Sequence, residues 1–138
     1  MQTIITDVEA LRMPIKTKNF DPENDHKLLC CCGHTECDKR SVHQWALNLI
    51  QMIRDDADRP LRITSGGRCP KHPNEVHRKK PADHQKCQAV DIAVYNGEQR
   101  AEIVMLALKH GADAIGVAEH FVHVGFRGDT DKVVMWTY

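Results

Sequence analysis

The chain lacks an excess charge of either sign: 19 Lys and Arg balance 19 Asp and Glu over 138 residues. A general nucleic-acid binder needs a net basic field, so that class is set aside. No apolar run approaches the ~18 residues that cross a bilayer, so membrane insertion is not expected. Met1 to Lys18 has no continuous apolar stretch of the kind a secretory signal carries, and synthesis in the cytoplasm is expected. Internal repeats and low-complexity tracts are also missing. What remains is ordinary for a globular chain, 41% hydrophobic and 28% charged. A single domain spanning 1–138, with 1–27 as an N-terminal extension of the same unit, buries roughly two-thirds of its unfolded surface. A monomer is expected.

Cysteine and histidine, in contrast, are plentiful: six Cys, three of them consecutive at Cys30, Cys31 and Cys32, and nine His. Thiols made in the cytoplasm stay reduced, and adjacent Cys pair poorly, so these read as free thiols or metal ligands before disulfides. Cys30, Cys32, His34 and Cys37 do not follow Cys-x-x-Cys spacing. The favoured reading is thiols packed at the start of a helix, with a second, structural metal site as the lesser alternative.

Ser41, with Gln44 three residues on, has the form of a capping box. Val42, Trp45, Ala46, Leu49, Ile50 and Ile53 follow at helical spacing, with Trp45 as a core anchor, and the helix stops near Asp55–Asp58. Leu61 to Ser65 reads as a strand closed by a Gly66-Gly67 turn. Residues 69–87 form a long polar loop with three prolines, five Lys or Arg and three His. Its basic residues suit either a solvated surface or a flap over an anionic substrate; His72 and His77 read as surface residues. Gln88 to Tyr95 is a strand. A helix from Glu98 to His110 presents Ala101, Val104, Met105 and Leu108, with Gly111 as its stop. Segments 114–118, 120–126 and 132–137 are short strands, the last two joined by a Gly128-Asp129 turn. This mixture predicts an α+β domain with a small antiparallel sheet and helices on one face.

Strand parity isolates the chemistry. Val90, Ile92 and Val94 share one face, which leaves Asp91 on the other with Ala89 and Ala93. Val122, Val124 and Phe126 share one face, which leaves His123 on the other with Phe121 and Gly125. If the strands adjoin, Asp91 and His123 meet among small neighbours, and His84 in the preceding turn can reach them. Two imidazoles and a carboxylate with one vacant position form a catalytic zinc set. Glu119 has the parity of His123 and is the first candidate for general base; a bulge would put His120 there instead. Trp136 is a core residue or a pocket wall, and Cys87 a bystander.

Ser65-Gly66-Gly67-Arg68, then His84-x6-Asp91, then Phe121-Val122-His123-Val124, then Trp136-Thr137-Tyr138 resembles a known group. It is similar to the zinc D-Ala-D-Ala carboxypeptidases and the small phage L-alanyl-D-glutamate endopeptidases of the hedgehog/DD-peptidase fold, over about residues 28–138. The resemblance implies zinc held by His84, Asp91 and His123. It also implies an oxyanion role for Arg68, with Ser65 and Trp136 also at the substrate, a peptidoglycan stem peptide. Cell-wall action through lysis machinery or within a virion follows from the same likeness. Four positions depart from the pattern: Ala82 stands for Ser, Cys87 for Gly, Gly125 for Asp, and His120 where the dipeptidase branch has its base. These departures motivate an alternative, a virion module that keeps the metal with little or no catalysis. A structural metal protein centred on Cys30–Cys37 is a third.

Overall fold

The computed structural model describes residues 14–25, 27–128 and 131–138. Much of the expected N-terminal extension, and Asp129 of the expected turn, lie outside the described residues. Two helices, α1 (Gln44–Ala57) and α2 (Gly97–Lys109), accompany five strands: β1 (Ile63–Ser65), β2 (Ala89–Ala93), β3 (Ala114–Val117), β4 (Phe121–Gly125) and β5 (Val134–Thr137). They form the expected α+β domain.

The start of α1 differs from the capping-box reading. His43 precedes the helix and makes no side-chain cap bond. Ser41 lies in an isolated antiparallel bridge with Leu29. Gln44 is occupied elsewhere: its Oε1 accepts from the Lys16 N–H and its Nε2 donates to the Lys16 carbonyl, both at 3.0 Å. Trp45 is 48% exposed, so it is not a core anchor. It sits edge-on to Phe126 while Ala46, Leu47, Ile50 and Ile53 enter the core. Asp58, in the left-handed conformation, ends the helix.

In α2 the Asn96 side chain caps the Gln99 N–H at 2.9 Å. The expected apolar stripe is displaced. Ile103 and Ala107 are buried, whereas Met105 and Leu108 are exposed. The helix carries two apolar stripes, and the one bearing Ile103 and Ala107 belongs to the core that α1 and the sheet complete. Gly111, at φ +93°, takes the backbone out of the helix as expected.

The sheet order is β1-β2-β4-β3-β5. It is mixed rather than wholly antiparallel, because β5 runs parallel to β3. The reason is topological. β4 already has β2 on one side and β3 on the other, so the final strand cannot form a hairpin with it and takes the free edge of β3. Val90, Ile92, Ile115, Val122 and Val124 face the common core with both helices. The register aligns a single row across the other side: Ser65, Asp91, His123, Gly116 and Trp136. Directly opposed residues on one face lie about 5 Å apart at Cβ, so this row converges side chains that are distant in sequence.

Gly66 and Gly67 do not form the expected turn. They run extended beneath the segment 28–41, with the Gly67 N–H donating to the Leu28 carbonyl at 3.1 Å. A Cβ on Gly67 would lie 2.3 Å from the Arg40 carbonyl oxygen, and one on Gly66 2.6 Å from that of Leu28. The glycines are there for close approach of backbone to backbone. Gly67→Ala is accordingly expected to cost about 3 kcal/mol, the upper end for overpacking, because the obstacle is main chain. Urea denaturation of the purified variant measures it; a change within 0.5 kcal/mol, roughly that of an indifferent surface site, would contradict the contact.

Candidate metal centre

His84, Asp91 and His123 meet. The three contacts among His84 Nε2, Asp91 Oδ1 and His123 Nδ1 are each 3.2 Å. Asp91 and His123 are opposed across β2 and β4. His84 arrives from the loop before β2, where its ring is edge-on to that of His123. All three are buried, at 5–6% exposure.

Their outer partners fix which nitrogens carry hydrogen. His84 Nδ1 donates to the Gly66 carbonyl at 2.7 Å, since a carbonyl only accepts. His123 Nε2 donates to Asp83 Oδ2 at 3.0 Å. In the neutral rings the inward nitrogens, His84 Nε2 and His123 Nδ1, are therefore lone pairs. They face each other and a carboxylate oxygen with no hydrogen between them. Such an arrangement calls for positive charge at its centre, from a proton on one of the rings or from a bound cation. The 3.2 Å edges match the ~3.3 Å expected of a tetrahedron with ligand bonds of about 2.0–2.1 Å. Donor chemistry and spacing both fit a divalent cation with a fourth position open.

The surrounding charges agree. Burial pushes the Asp91 carboxyl up, but protonated His123 and His84 rings, hydrogen-bonded to it, outweigh burial and hold it well below the usual range. Burial likewise raises the Asp83 carboxyl, and His123 and Arg127 bring it far down. For His123 burial lowers the pKa, and the two carboxylates raise it overall.

Asp83 is the functional residue that sequence reasoning missed. It binds His123 and also accepts from Arg127 Nε at 2.9 Å. A Cβ on Gly125 would lie 3.0 Å from its Oδ2. The missing side chain at Gly125 thus makes room for a carboxylate from the neighbouring loop. Only the Gly at a position where the family pattern has Asp hinted at it.

The cluster lies on a cleft of about 560 Å³. Arg68 lines it, with 13% of its side chain exposed. Its Nε donates to Ser65 Oγ at 3.0 Å, Nη1 reaches Glu75 Oε2 at 3.3 Å, and Nη2 lies 3.5 Å from Asp91 Oδ2. Ser65 therefore sits behind Arg68 and outside the cleft lining. Trp136 is a pocket wall, its ring 5.1 Å from that of His123. Gly116 permits this, because a Cβ there would meet the indole at 2.6 Å.

Glu119 and His120 are not brought to the cluster. They occupy the bend before β4, with side chains 84% and 78% exposed, and neither lines the cleft. The parity argument fails because the strand begins only at Phe121. Cys87 is outside the ligand set, as expected. Its φ of +59° accounts for the glycine in the family pattern. His72 is partly buried, and His77 is exposed on the cleft wall.

Asp83→Asn is expected to weaken metal affinity 10–100-fold while leaving a folded, metal-competent chain, as loss of an outer partner of a ligand does. Competition with a chromogenic chelator reads this directly, and unchanged affinity would remove Asp83 from the centre.

No curated protein matches the chain. The family model for peptidase M15 matches residues 19–125, well over half of the sequence. The matched stretch includes α1, the Gly66-Gly67-Arg68 segment, the 69–87 loop and all three clustered ligands. The expected resemblance is thereby borne out, and the chain belongs to the peptidase M15 family of metallopeptidases.

Proposed function

We propose that the protein is a zinc peptidase that cleaves peptidoglycan stem peptides at the bacterial cell wall. The observation that carries the reading is the convergence of two imidazole lone pairs and one carboxylate beside an Arg-lined cleft. When bound there, zinc supplies a water of pKa ~7 and polarises the carbonyl of the scissile bond.

The remaining chemistry belongs to the chain. Arg68 directs a fixed cation beside the ligand set and is suited to the negative charge that develops on the carbonyl oxygen. Ser65 and Glu75 hold that guanidinium in place. Arg78 and Arg127, 43% and 37% exposed, flank the cleft and suit the free carboxylates of a stem peptide. Phe121, Trp136 and Tyr138 form an apolar wall for the peptide backbone.

Proton transfer is assigned to Glu75. Three carboxylates line the cleft. Asp91 belongs to the ligand set, and both oxygens of Asp83 are engaged by His123 and Arg127. Glu75 is 2% exposed, its Oε2 meets Arg68 and Arg78, and its Oε1 is the one buried side-chain N or O atom without a partner among the described residues. That unpartnered oxygen, on a residue lining the cleft and held beside Arg68, is the carboxylate oxygen left to take a proton.

Digestion of purified peptidoglycan by the zinc-loaded protein, followed by mass spectrometry, is expected to reveal new amine termini; intact stems would overturn the enzymatic reading in favour of a metal-binding module. In the same assay Glu75→Gln is expected to keep the metal and lose about 100-fold or more in kcat, within the usual range for a general base. Glu119→Gln and His120→Ala are expected to stay near wild type. Loss with His120→Ala alone would move proton transfer to the bend before β4. Arg68→Ala is expected to lose about 100-fold in kcat, the scale for one oxyanion donor.

A further inference from the structure

A second cluster lies outside the cleft. Cys30, Cys32, Cys37 and Cys69 bring their four Sγ atoms within 4.8 Å of one another. We propose that these four thiols are a closed, structural zinc site that fastens the 30–40 loop to the segment carrying Arg68. The site is independent of the hydrolytic reading and of the His84, Asp91 and His123 centre.

Geometry and chemistry both favour it. A zinc tetrathiolate with Zn–S of about 2.3 Å has S–S edges of about 3.8 Å. Cys32 and Cys69 stand 3.6 Å apart, close to that edge and far beyond a disulfide bond. Cys30 and Cys69 are buried, and Cys32 and Cys37 are half-buried. The Lys39 N–H donates to Cys37 Sγ at 3.4 Å, the backbone support a metal-bound thiolate needs. Lys39 adopts φ +53°, an uncommon conformation for a residue other than glycine. Four protein ligands leave no open position, which marks the site as structural.

The set differs from the one the spacing suggested. His34 is not in it: its Nδ1 accepts from the Glu36 N–H at 2.9 Å and its side chain is exposed. Cys69 takes the fourth place, delivered by the extended Gly66-Gly67 segment. That segment is held against the stretch leading into the loop by the Gly67 N–H, which donates to the Leu28 carbonyl at 3.1 Å, and the loop is itself closed by the Cys30 N–H donating to the Arg40 carbonyl at 2.9 Å. Cys69 directly follows Arg68, so the cross-link anchors the backbone on which the cleft guanidinium stands.

Metal analysis of protein purified under reducing conditions tests this. Two zinc ions per chain are expected in the wild type, one in Cys32→Ser and Cys37→Ser, and one in His123→Ala. Cobalt replacement gives a reading on the unaltered chain: a near-ultraviolet thiolate-to-cobalt charge-transfer band is expected, and it should persist in His123→Ala. Retention of two zinc ions by both serine variants would overturn the proposal. So would a single zinc in the wild type that His123→Ala removes, or a cobalt protein with no thiolate band. Intact mass showing two disulfides in the zinc-loaded native protein would overturn it as well.

Discussion

Two imidazole lone pairs and a carboxylate oxygen, held 3.2 Å apart in a buried place, repel one another unless a positive charge lies between them. Much of the fold serves to keep them there. The β2–β4 register sets Asp91 against His123. The Gly66 carbonyl and the Asp83 carboxylate each take the outward hydrogen of one ring and so turn the opposite nitrogen inward. A group of this kind is unstable without added positive charge, and its burial and outer hydrogen bonds suit a site that receives a cation.

The same row of the sheet that carries two ligands also carries the devices on either side of them. Ser65 at one end pins Arg68, and Trp136 at the other walls the cleft. Between His123 and Trp136 stands Gly116, whose lack of a side chain lets the indole lie over the imidazole. One register thus positions two members of the His84, Asp91 and His123 cluster, the anchor of Arg68 and an aromatic surface. A slip of one residue would send Asp91 and His123 into the apolar core and expose the valines.

Asp91 and His123 were legible in the sequence because period-two alternation is a property of single strands and they interrupt otherwise small or apolar faces, whereas His84, in the loop before β2, was reached through its nearness to Asp91 and the resemblance. The helices were legible in extent but not in orientation. Periodicity offers two stripes in α2, and only packing chooses Ile103 and Ala107. The capping-box reading of Ser41 failed because Gln44 was taken by the Lys16 backbone, a partner 28 residues away. Asp83, Glu75 and Cys69 all lie in or beside a long loop with no period to read, so their burial against distant partners left no local trace. The parallel β5 escaped for a related reason: strand order depends on which edges other strands have already taken.

Asp83 and Gly125 form an exchange rather than two separate features. The carboxylate oxygen occupies the volume into which a side chain at 125 would grow. A side chain at 125 would press on the Asp83 carboxylate at 3.0 Å and so disturb the outer partner of His123. The glycine and the carboxylate are thus one device, and filling position 125 would be felt first at the acid that holds His123.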